Sequence, residues 1–219
     1  MQFRSFPSSK EVNYHLRDLL RMQLQQAGTL MLSGGSTPYK IYNQLAQESF
    51  DIHPDCRFFL SDERCVPADS VKNNAFNLKP MLHALNGNSQ FIAVDTSQSP
   101  NEACIQFSNQ LDTLASPNLG LLGMGTDGHT AGIFNQTDAT ARSVQKTLYT
   151  NRPDGMDGVS VSASYIQSCH RIILLAMGES KRDVLLKLKE DPTCLITGNV
   201  LLHHPQVEIW TDLELSSSL

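Results

Sequence analysis

The sequence lacks the long apolar run that crosses a membrane and the paired cysteines that bind a metal. No run in its 219 residues approaches the ~18 apolar residues that span a bilayer, and the N-terminal MQFRSFPSSK has no apolar signal-peptide core. The five cysteines are odd in number and never spaced Cys-x-x-Cys. These absences predict a cytoplasmic protein with reduced, structural thiols and no membrane partner.

A strong excess of charge is also lacking. The formal net charge is −5, and charged residues make up 18% of the chain. This balance gives no general attraction to nucleic acid, so no nucleic-acid partner is expected, and any basic site for an anionic ligand must be local. Internal repeats and low-complexity segments are missing as well. Length and composition therefore predict one globular domain over residues 1–219.

Apolar runs alternate with helical patterns along the chain. Strands are predicted at 29–32, 57–60, 91–94, 119–122, 159–162, 172–176 and 207–210, and helices at 10–26, 38–48, 74–85, 100–115, 179–190 and 198–204. The turn residues of 150–158 predict a long loop. This alternation predicts an α/β fold, a mostly parallel sheet flanked by helices on both faces. Such sheets bind ligands at the carboxyl ends of their strands, which directs attention to the loops after Leu32, Leu60, Leu122 and Met177.

The first loop, SGGSTP from Ser33 to Pro38, has the composition of an anion site. Gly34 and Gly35 permit a tight turn and a close approach of backbone N–H groups to a ligand. Pro38 suits the first helical position, which makes Ser36 or Thr37 the N-cap and predicts extended backbone at Thr37. The segment matches neither the P-loop nor the dinucleotide fingerprint. It predicts a phosphate cradle, with a ligand-free capped turn as the alternative.

Charged side chains follow two other strands. In the second loop Arg64 is placed to bind a phosphate or carboxylate, and Asp62 or Glu63 to hold that arginine or bind hydroxyls. In the fourth loop Lys181 or Arg182 offers a second cation. Solvated surface charge is the alternative interpretation of both loops.

The third loop, GMGTDGHT from Gly123, combines glycines with an acid and an imidazole. His129 is a candidate general base, and Asp127 a candidate partner that orients it or binds a substrate hydroxyl. Gly125 and its neighbours bring backbone N–H groups toward a ligand or an oxyanion. A structural histidine is the alternative. The four loops together suit a sugar phosphate and either proton transfer or activation of water.

Three motifs, LSGGSTP from Leu32, DERCVP from Asp62 and GMGTDGHTA from Gly123, resemble the 6-phosphogluconolactonase branch of the glucosamine-6-phosphate isomerase/6-phosphogluconolactonase family. The resemblance implies the fold shared with glucosamine-6-phosphate deaminases and ribose-5-phosphate isomerase. It implies hydrolysis of 6-phosphoglucono-1,5-lactone, the second step of the oxidative pentose phosphate pathway, without metal or organic cofactor. His129 falls on the family's general base, Arg64 and Lys181 on its basic substrate contacts, and Gly35–Ser36–Thr37 on its phosphate-side loop.

The chain departs from the family pattern in two segments. Gly132 and Asn135 stand where the family usually has serine and proline. Gly158-Val159-Ser160 lacks the arginine common there, for which Arg152 is a candidate replacement.

Two alternatives remain at this point. A deaminase would carry glutamate at the position of Phe134 and tyrosine at that of Arg64. A sugar-phosphate-sensing repressor would carry a helix-turn-helix, for which residues 1–27 have no room. The sequence leaves the oligomeric state open.

Overall fold

The structure, a computed structural model, describes residues 1–215. In these residues the strands are β1 (Gln2–Ser5), β2 (Gly28–Leu32), β3 (Cys56–Leu60), β4 (Asp62–Arg64), β5 (Phe91–Ile92), β6 (Leu119–Gly123), β7 (Thr147–Asn151), β8 (Asp157–Val161), β9 (Arg171–Leu175) and β10 (Val207–Thr211). The α-helices are α1 (Ser9–Leu24), α2 (Ser36–Leu45), α3 (Asn74–Ala84), α4 (Pro100–Asp112), α5 (Gln136–Thr140), α6 (Ala163–Gln167), α7 (Arg182–Glu190) and α8 (Ile196–Leu201). Short 3-10 helices lie at Gly87–Ser89, Glu179–Lys181 and Pro192–Cys194.

The main sheet has seven strands in the order β1-β10-β9-β6-β2-β3-β5, and every neighbouring pair is parallel. The predicted mostly parallel sheet is therefore confirmed. From β2 the chain proceeds outward through β3 to β5, whereas from β6 it proceeds the other way through β9 to β10. The strand order thus reverses between β2 and β6. A crevice opens outside the carboxyl ends of strands at such a reversal, and ligands of α/β sheets bind there.

Both faces of this sheet are buried under helices, as the continuous apolar runs predict. Leu30 and Leu32 of β2 point toward the face covered by α1, α2 and α3, and Met31 between them points to the opposite face. That opposite face is covered by α4, α6, α7 and α8 together with the inner side of β8. Each fully buried aliphatic or aromatic side chain stabilises the fold by about 1.5–3 kcal/mol relative to an exposed one. The two layers hold the strand ends, and so the four loops, at fixed positions.

A small antiparallel sheet, ordered β4-β8-β7, extends above the main sheet. It corrects the prediction of a long loop over 150–158, because Asn151 ends β7 and Asp157 begins β8. Only the five residues from Arg152 to Met156 form the turn. A hydrogen bond from the Arg152 N–H to the Met156 carbonyl, 3.1 Å long, closes it. Pro153 and Gly155 lie in the turn itself, whereas Thr150 and Asn151 before it pair with Gly158 and Asp157 after it.

Several short elements were not predicted, and some predicted boundaries move. The edge strand β1, the strands β4 and β7, and the five-residue helices α5 and α6 carry too few apolar residues to produce a period. The strand predicted at 91–94 keeps only Phe91–Ile92, and the helix predicted at 100–115 ends at Asp112. Within residues 1–215, no helix has the length and hydropathy needed to cross a bilayer.

Candidate active site

A cavity of about 250 Å³ lies at the carboxyl ends of the central strands and is lined by residues of all four loops. Nine of the ten predicted site residues line it: Gly34, Gly35, Ser36, Thr37, Asp62, Arg64, Gly125, His129 and Lys181. The tenth, Asp127, does not line the cavity but contacts His129. Arg182 instead pairs with Glu179 and donates to the Glu214 carbonyl, so Lys181 is the cation of the fourth loop that reaches the cavity. The parallel sheet thus brings together residues that are far apart in the chain.

The start of α2 corrects one sequence prediction. The helix begins at Ser36 with Gly35 as N-cap, so neither Ser36 nor Thr37 is the cap, and Thr37 is helical, not extended. Pro38 is tolerated at the third helical position because a first-turn N–H has no partner within the helix. Gly35 takes φ 111° and ψ 163°, a region open almost only to glycine. The first-turn N–H groups and both hydroxyls are consequently presented at a helix N-terminus, where anions bind favourably.

The third loop holds an Asp–His pair. Asp127 Oδ1 lies 2.5 Å from His129 Nδ1 and also accepts the His129 backbone N–H at 3.3 Å. With its proton on Nδ1 and directed at a carboxylate, the imidazole keeps Nε2 as the nitrogen free to accept a proton. Asp127 contacts the imidazole of His129 and does not line the cavity, so its position suits orienting His129.

Gly125 makes room for this pair. A Cβ at this position would collide with Asp127 Oδ1 and His129 Nδ1. Its N–H donates to the His129 carbonyl at 2.9 Å. That N–H is therefore engaged within the loop, which corrects the expectation that Gly125 offers it to an oxyanion, although the residue lines the cavity.

The loop around His129 is braced from several sides. Thr130 Oγ1 donates to the Gly123 carbonyl at 2.8 Å, and both the N–H and the hydroxyl of Thr197 donate to the Gly128 carbonyl at 2.9 Å. The imidazole packs on the ring of Phe134, with centroids 4.6 Å apart. An imidazole held by a shell of this kind keeps one orientation.

Two pKa shifts follow from this environment. Partial burial raises the pKa of Asp127, but the hydrogen bond and charge of His129 outweigh it, so the net pKa is lowered. Asp127 is therefore ionised near neutral pH. Burial lowers the pKa of Lys181, an effect that the charge of Asp127 partly offsets. The Lys181 Nζ donates to the Met124 carbonyl at 2.6 Å, which anchors it beside the same loop.

The two acids of the second loop have different surroundings. Asp62 lines the cavity. Glu63, 2% exposed, turns away and accepts the N–H groups of Arg64, Asn74 and Ala75 at 2.8, 2.6 and 2.7 Å. Burial raises the pKa of Glu63 to about 7, against the lowering effect of these bonds. Glu63 thus holds the start of α3, and the interpretation of both acids as solvated surface charge is wrong.

The β7–β8 turn delivers a further cation, Arg152, to the cavity. Its side chain is 9% exposed and pairs with Asp62 through Nη1 at 3.3 Å and with Asp154 through Nε at 3.4 Å. The guanidinium carbon lies 5.2 Å from the ring centroid of Phe134. A Cβ at Gly158 would come within 3.3 Å of Arg152 Cδ, so the arginine occupies the space beside the glycine that departs from the family pattern. This placement supports the hypothesis that Arg152 replaces the missing basic contact.

Asn74 also lines the cavity, and sequence reasoning left it out of the site. In the sequence Asn74 appears only as the second residue of the pair Asn73-Asn74 ahead of a helix. The N-cap role of Asn73 is enough to explain that pair, since Asn73 Oδ1 accepts the Phe76 N–H at 2.8 Å. Nothing in the local pattern distinguishes the capping asparagine from the one that faces the cavity.

The fold and the site together define an α/β protein with a histidine–aspartate pair and a cluster of cations at one strand-end cavity. Residues 8–200 match the family described as glucosamine-6-phosphate isomerases/6-phosphogluconolactonase. The 6-phosphogluconolactonase of Treponema pallidum is 34% identical over 186 residues, which cover 78% of this chain and 76% of the relative. The chain belongs to the glucosamine-6-phosphate isomerase/6-phosphogluconolactonase family, as the sequence motifs predict.

Solved structures agree with this placement. The crystal structure of a 6-phosphogluconolactonase from Shewanella baltica OS155 superposes with a TM-score of 0.84 at 25% identity, covering 96% of this chain and 97% of that one. A monomeric glucosamine-6-phosphate deaminase also reaches 0.84, covering 98% of each chain, at 19% identity. The second likeness shows the shared fold alone.

Proposed function

We propose that this chain is a lactone hydrolase that converts 6-phosphoglucono-1,5-lactone to 6-phosphogluconate in the oxidative pentose phosphate pathway. The observation that carries the proposal is one cavity in which the Asp127-supported imidazole of His129 faces three cations, Arg64, Arg152 and Lys181. A neutral lactone ring with an anionic tail requires this combination of a base and a local positive site. The 34% identity to a 6-phosphogluconolactonase over most of both chains supports the same activity.

The reaction needs no covalent nucleophile, because a lactone carbonyl is already electrophilic. Water attacks the carbonyl carbon while His129 Nε2 accepts its proton, and the resulting imidazolium is stabilised by the Asp127 carboxylate. The tetrahedral intermediate then collapses, the bond from the carbonyl carbon to the ring oxygen breaks, and the imidazolium returns its proton to that oxygen. The product is the open-chain acid, and His129 is again neutral.

The phosphate is bound away from the base. We assign it to the α2 N-terminus with Ser36 and Thr37, together with Arg64 and Lys181, and Arg152 adds a third positive charge. Gly34 and Gly35 let the backbone approach the ligand, and Asp62, which pairs with Arg152, remains available to a sugar hydroxyl. Charge-assisted contacts of this kind fix the ring relative to Nε2.

The deaminase alternative is less well supported. Its ring-opening chemistry uses a glutamate at the position that Phe134 occupies here, and the Phe134 ring packs against His129 and under Arg152. An apolar ring there supplies no carboxylate. Release of ammonia from glucosamine 6-phosphate would support the deaminase, and binding of sugar phosphate without lactone consumption would support a sensor.

The direct test is acid release from freshly prepared lactone, corrected for spontaneous hydrolysis. We expect His129→Ala to lower kcat by roughly 10²–10⁴-fold, the usual contribution of a general base. His170→Ala, at an exposed histidine outside the cavity, is the matched control and should keep wild-type kcat. Arg64→Ala and Lys181→Ala should chiefly raise KM. Wild-type turnover in His129→Ala would remove His129 from the mechanism, and unchanged KM in both cation variants would remove the phosphate assignment.

We also propose that residues 1–219 work as one domain in the cytoplasm, with a phosphorylated sugar lactone as the ligand and no nucleic-acid partner. The cavity draws its residues from Ser33 to Lys181, a span that includes most of the chain. All five cysteines are free thiols, the state that a reducing compartment maintains. The net charge of −5 does not favour nucleic acid.

A further inference from the structure

Asn74 connects the two sides of the proposed anion site. It is 2% exposed and is the first residue of α3. Its Oδ1 accepts Arg64 Nη1 at 2.8 Å and the Tyr39 hydroxyl of α2 at 2.8 Å. Its Nδ2 donates to the Asp62 carbonyl at 2.9 Å. One buried amide thus contacts the arginine of the second loop and the helix that begins at the first.

The orientation of this amide is determined by its partners. Arg64 and Tyr39 present hydrogens to one amide atom, and the Asp62 carbonyl presents only lone pairs to the other, so the oxygen and nitrogen of Asn74 have one consistent placement. Below it, Glu63 Oε1 accepts the Asn74 N–H at 2.6 Å, which fixes the backbone of the residue as well.

The amide also supports the glycine loop. A Cβ at Gly34 would come within 2.8 Å of the Asn74 side-chain amide, so the loop backbone lies directly against it. Among residues 1–215, the Arg64 guanidinium makes its hydrogen bonds through Nη1, to Asn74 Oδ1 at 2.8 Å and to the Lys72 carbonyl at 3.0 Å. In the part of the chain that the structure describes, Nε and Nη2 of Arg64 keep their hydrogens for another acceptor. A guanidinium held by one nitrogen presents its remaining donors in a fixed direction.

We propose that Asn74 is a positioning residue that fixes the Arg64 guanidinium against the Gly34–Thr37 loop and so sets the anion affinity of the site. This inference depends on the proposed function for the identity of the anion. A carboxylate in the same place would lose the donor to the Asp62 carbonyl and add negative charge beside the anion. An alanine would leave Nη1 of Arg64 with the Lys72 carbonyl as its remaining partner.

The test is a double-mutant cycle with Asn74→Ala and Arg64→Ala, read out as the calorimetric Kd for 6-phosphogluconate. We expect Asn74→Ala to weaken binding about tenfold, within the range of coupling energies for residues that contact one another. In the Arg64→Ala background the same change should have little effect, because the residue that Asn74 positions is already gone. Asn77→Ala is the control, since Asn77 lies on the same helix and bonds backbone carbonyls outside the cavity.

A second readout separates positioning from general damage. In Asn74→Ala we expect KM for the phosphorylated lactone to rise about tenfold, with kcat within about twofold of the wild-type value. KM for unphosphorylated glucono-1,5-lactone should not change. If Asn74→Ala fails to fold, Tyr39→Phe removes one hydrogen bond to Oδ1 and keeps the ring. It should weaken binding less, and only when Arg64 is present.

The outcomes are distinct. If Asn74→Ala weakens the affinity for 6-phosphogluconate as much in the Arg64→Ala background as in the wild-type protein, the inference is overturned, because Asn74 would then act on the ligand independently. Equal losses with both lactones would overturn it too, as a general structural effect. If the wild-type protein binds 6-phosphogluconate but does not hydrolyse the lactone, the proposed function fails while a non-additive cycle still supports the role of Asn74. If it binds no phosphorylated ligand, both fail.

Discussion

The Asp127–His129 pair yields a quantitative prediction for Asp127→Asn. We expect the amide oxygen of the variant to stay where Oδ1 now lies, because the His129 backbone N–H donates to that position. With the oxygen in that position, His129 keeps its Nδ1–H tautomer and only the negative charge is lost. A hydrogen bond to a charged group contributes about 1.5–3 kcal/mol. Because the Asp127 side chain is 58% exposed, water screens the charge and the lower end applies.

A loss of about 1.5 kcal/mol of transition-state stabilisation corresponds to roughly a tenfold fall in kcat. KM should stay near the wild-type value, because Asp127 does not line the cavity. The assay is initial-rate acid release from fresh lactone at fixed pH, with Asp69→Asn as the control for loss of an exposed carboxylate. Asp127→Ala should lose more than Asp127→Asn, since Nδ1 then has no acceptor to hold the ring. Wild-type kcat in Asp127→Asn, or a fall as large as that of His129→Ala, would refute the reasoning.

Three further predictions concern the supporting structure. Gly125→Ala should lower kcat nearly as far as His129→Ala, because the added Cβ displaces Asp127 and His129. Steady-state rates test this, with thermal unfolding followed by circular dichroism as the control for folding, and a normal kcat would contradict it. Gly35→Ala should lower the free energy of unfolding by about 1–3 kcal/mol, because φ 111° strains any residue other than glycine. It should also raise KM. Urea unfolding measures the first effect and initial rates the second. Glu63 has a folded-state pKa of about 7 against an ordinary 4.5, so its ionisation opposes folding. As pH rises from 4.5 to 7, the wild-type protein should lose stability relative to Glu63→Gln, and a pH-independent difference in urea unfolding would contradict this.

The position of the site was predictable because parallel sheets obey a general geometric rule. Each apolar run marks a strand, and every strand of such a sheet ends at the same edge, so the polar residues after Leu32, Leu60 and Leu122 had to meet. The periodicity does not show which strands are neighbours. The adjacency of β2 and β6, which places His129 beside the Gly34–Thr37 loop, arises from long-range packing.

The parts of the site that the hydrophobic pattern could not place depend on contacts distant in sequence. Arg152 reaches the cavity because β8 pairs with β4, a strand of three charged residues that no hydrophobic pattern reveals. Asn74 is bonded to Asp62 and Tyr39, 12 and 35 positions away, and a local reading shows only the start of a helix. At α2 the rule for residues preceding proline failed at Thr37, because Gly35 reached a backbone conformation that let the helix begin earlier.

The strand order also explains why binding and chemistry should separate in the kinetics. His129 and Asp127 follow β6, whereas the anion loop and Arg64 follow β2 and β3 on the other side of the reversal. Within residues 1–215, the contacts that brace His129, from Thr130, Thr197 and Phe134, share no residue with the hydrogen bonds of Asn74 and Glu63. The two networks meet at Arg152, which lies over Phe134 and pairs with Asp62, so a change confined to Asn74 should alter anion binding more than the geometry of His129. The sheet fixes the distance between the Gly34–Thr37 loop and His129, so in the proposed reaction a bound phosphate holds the carbonyl carbon at Nε2 without contacting the imidazole.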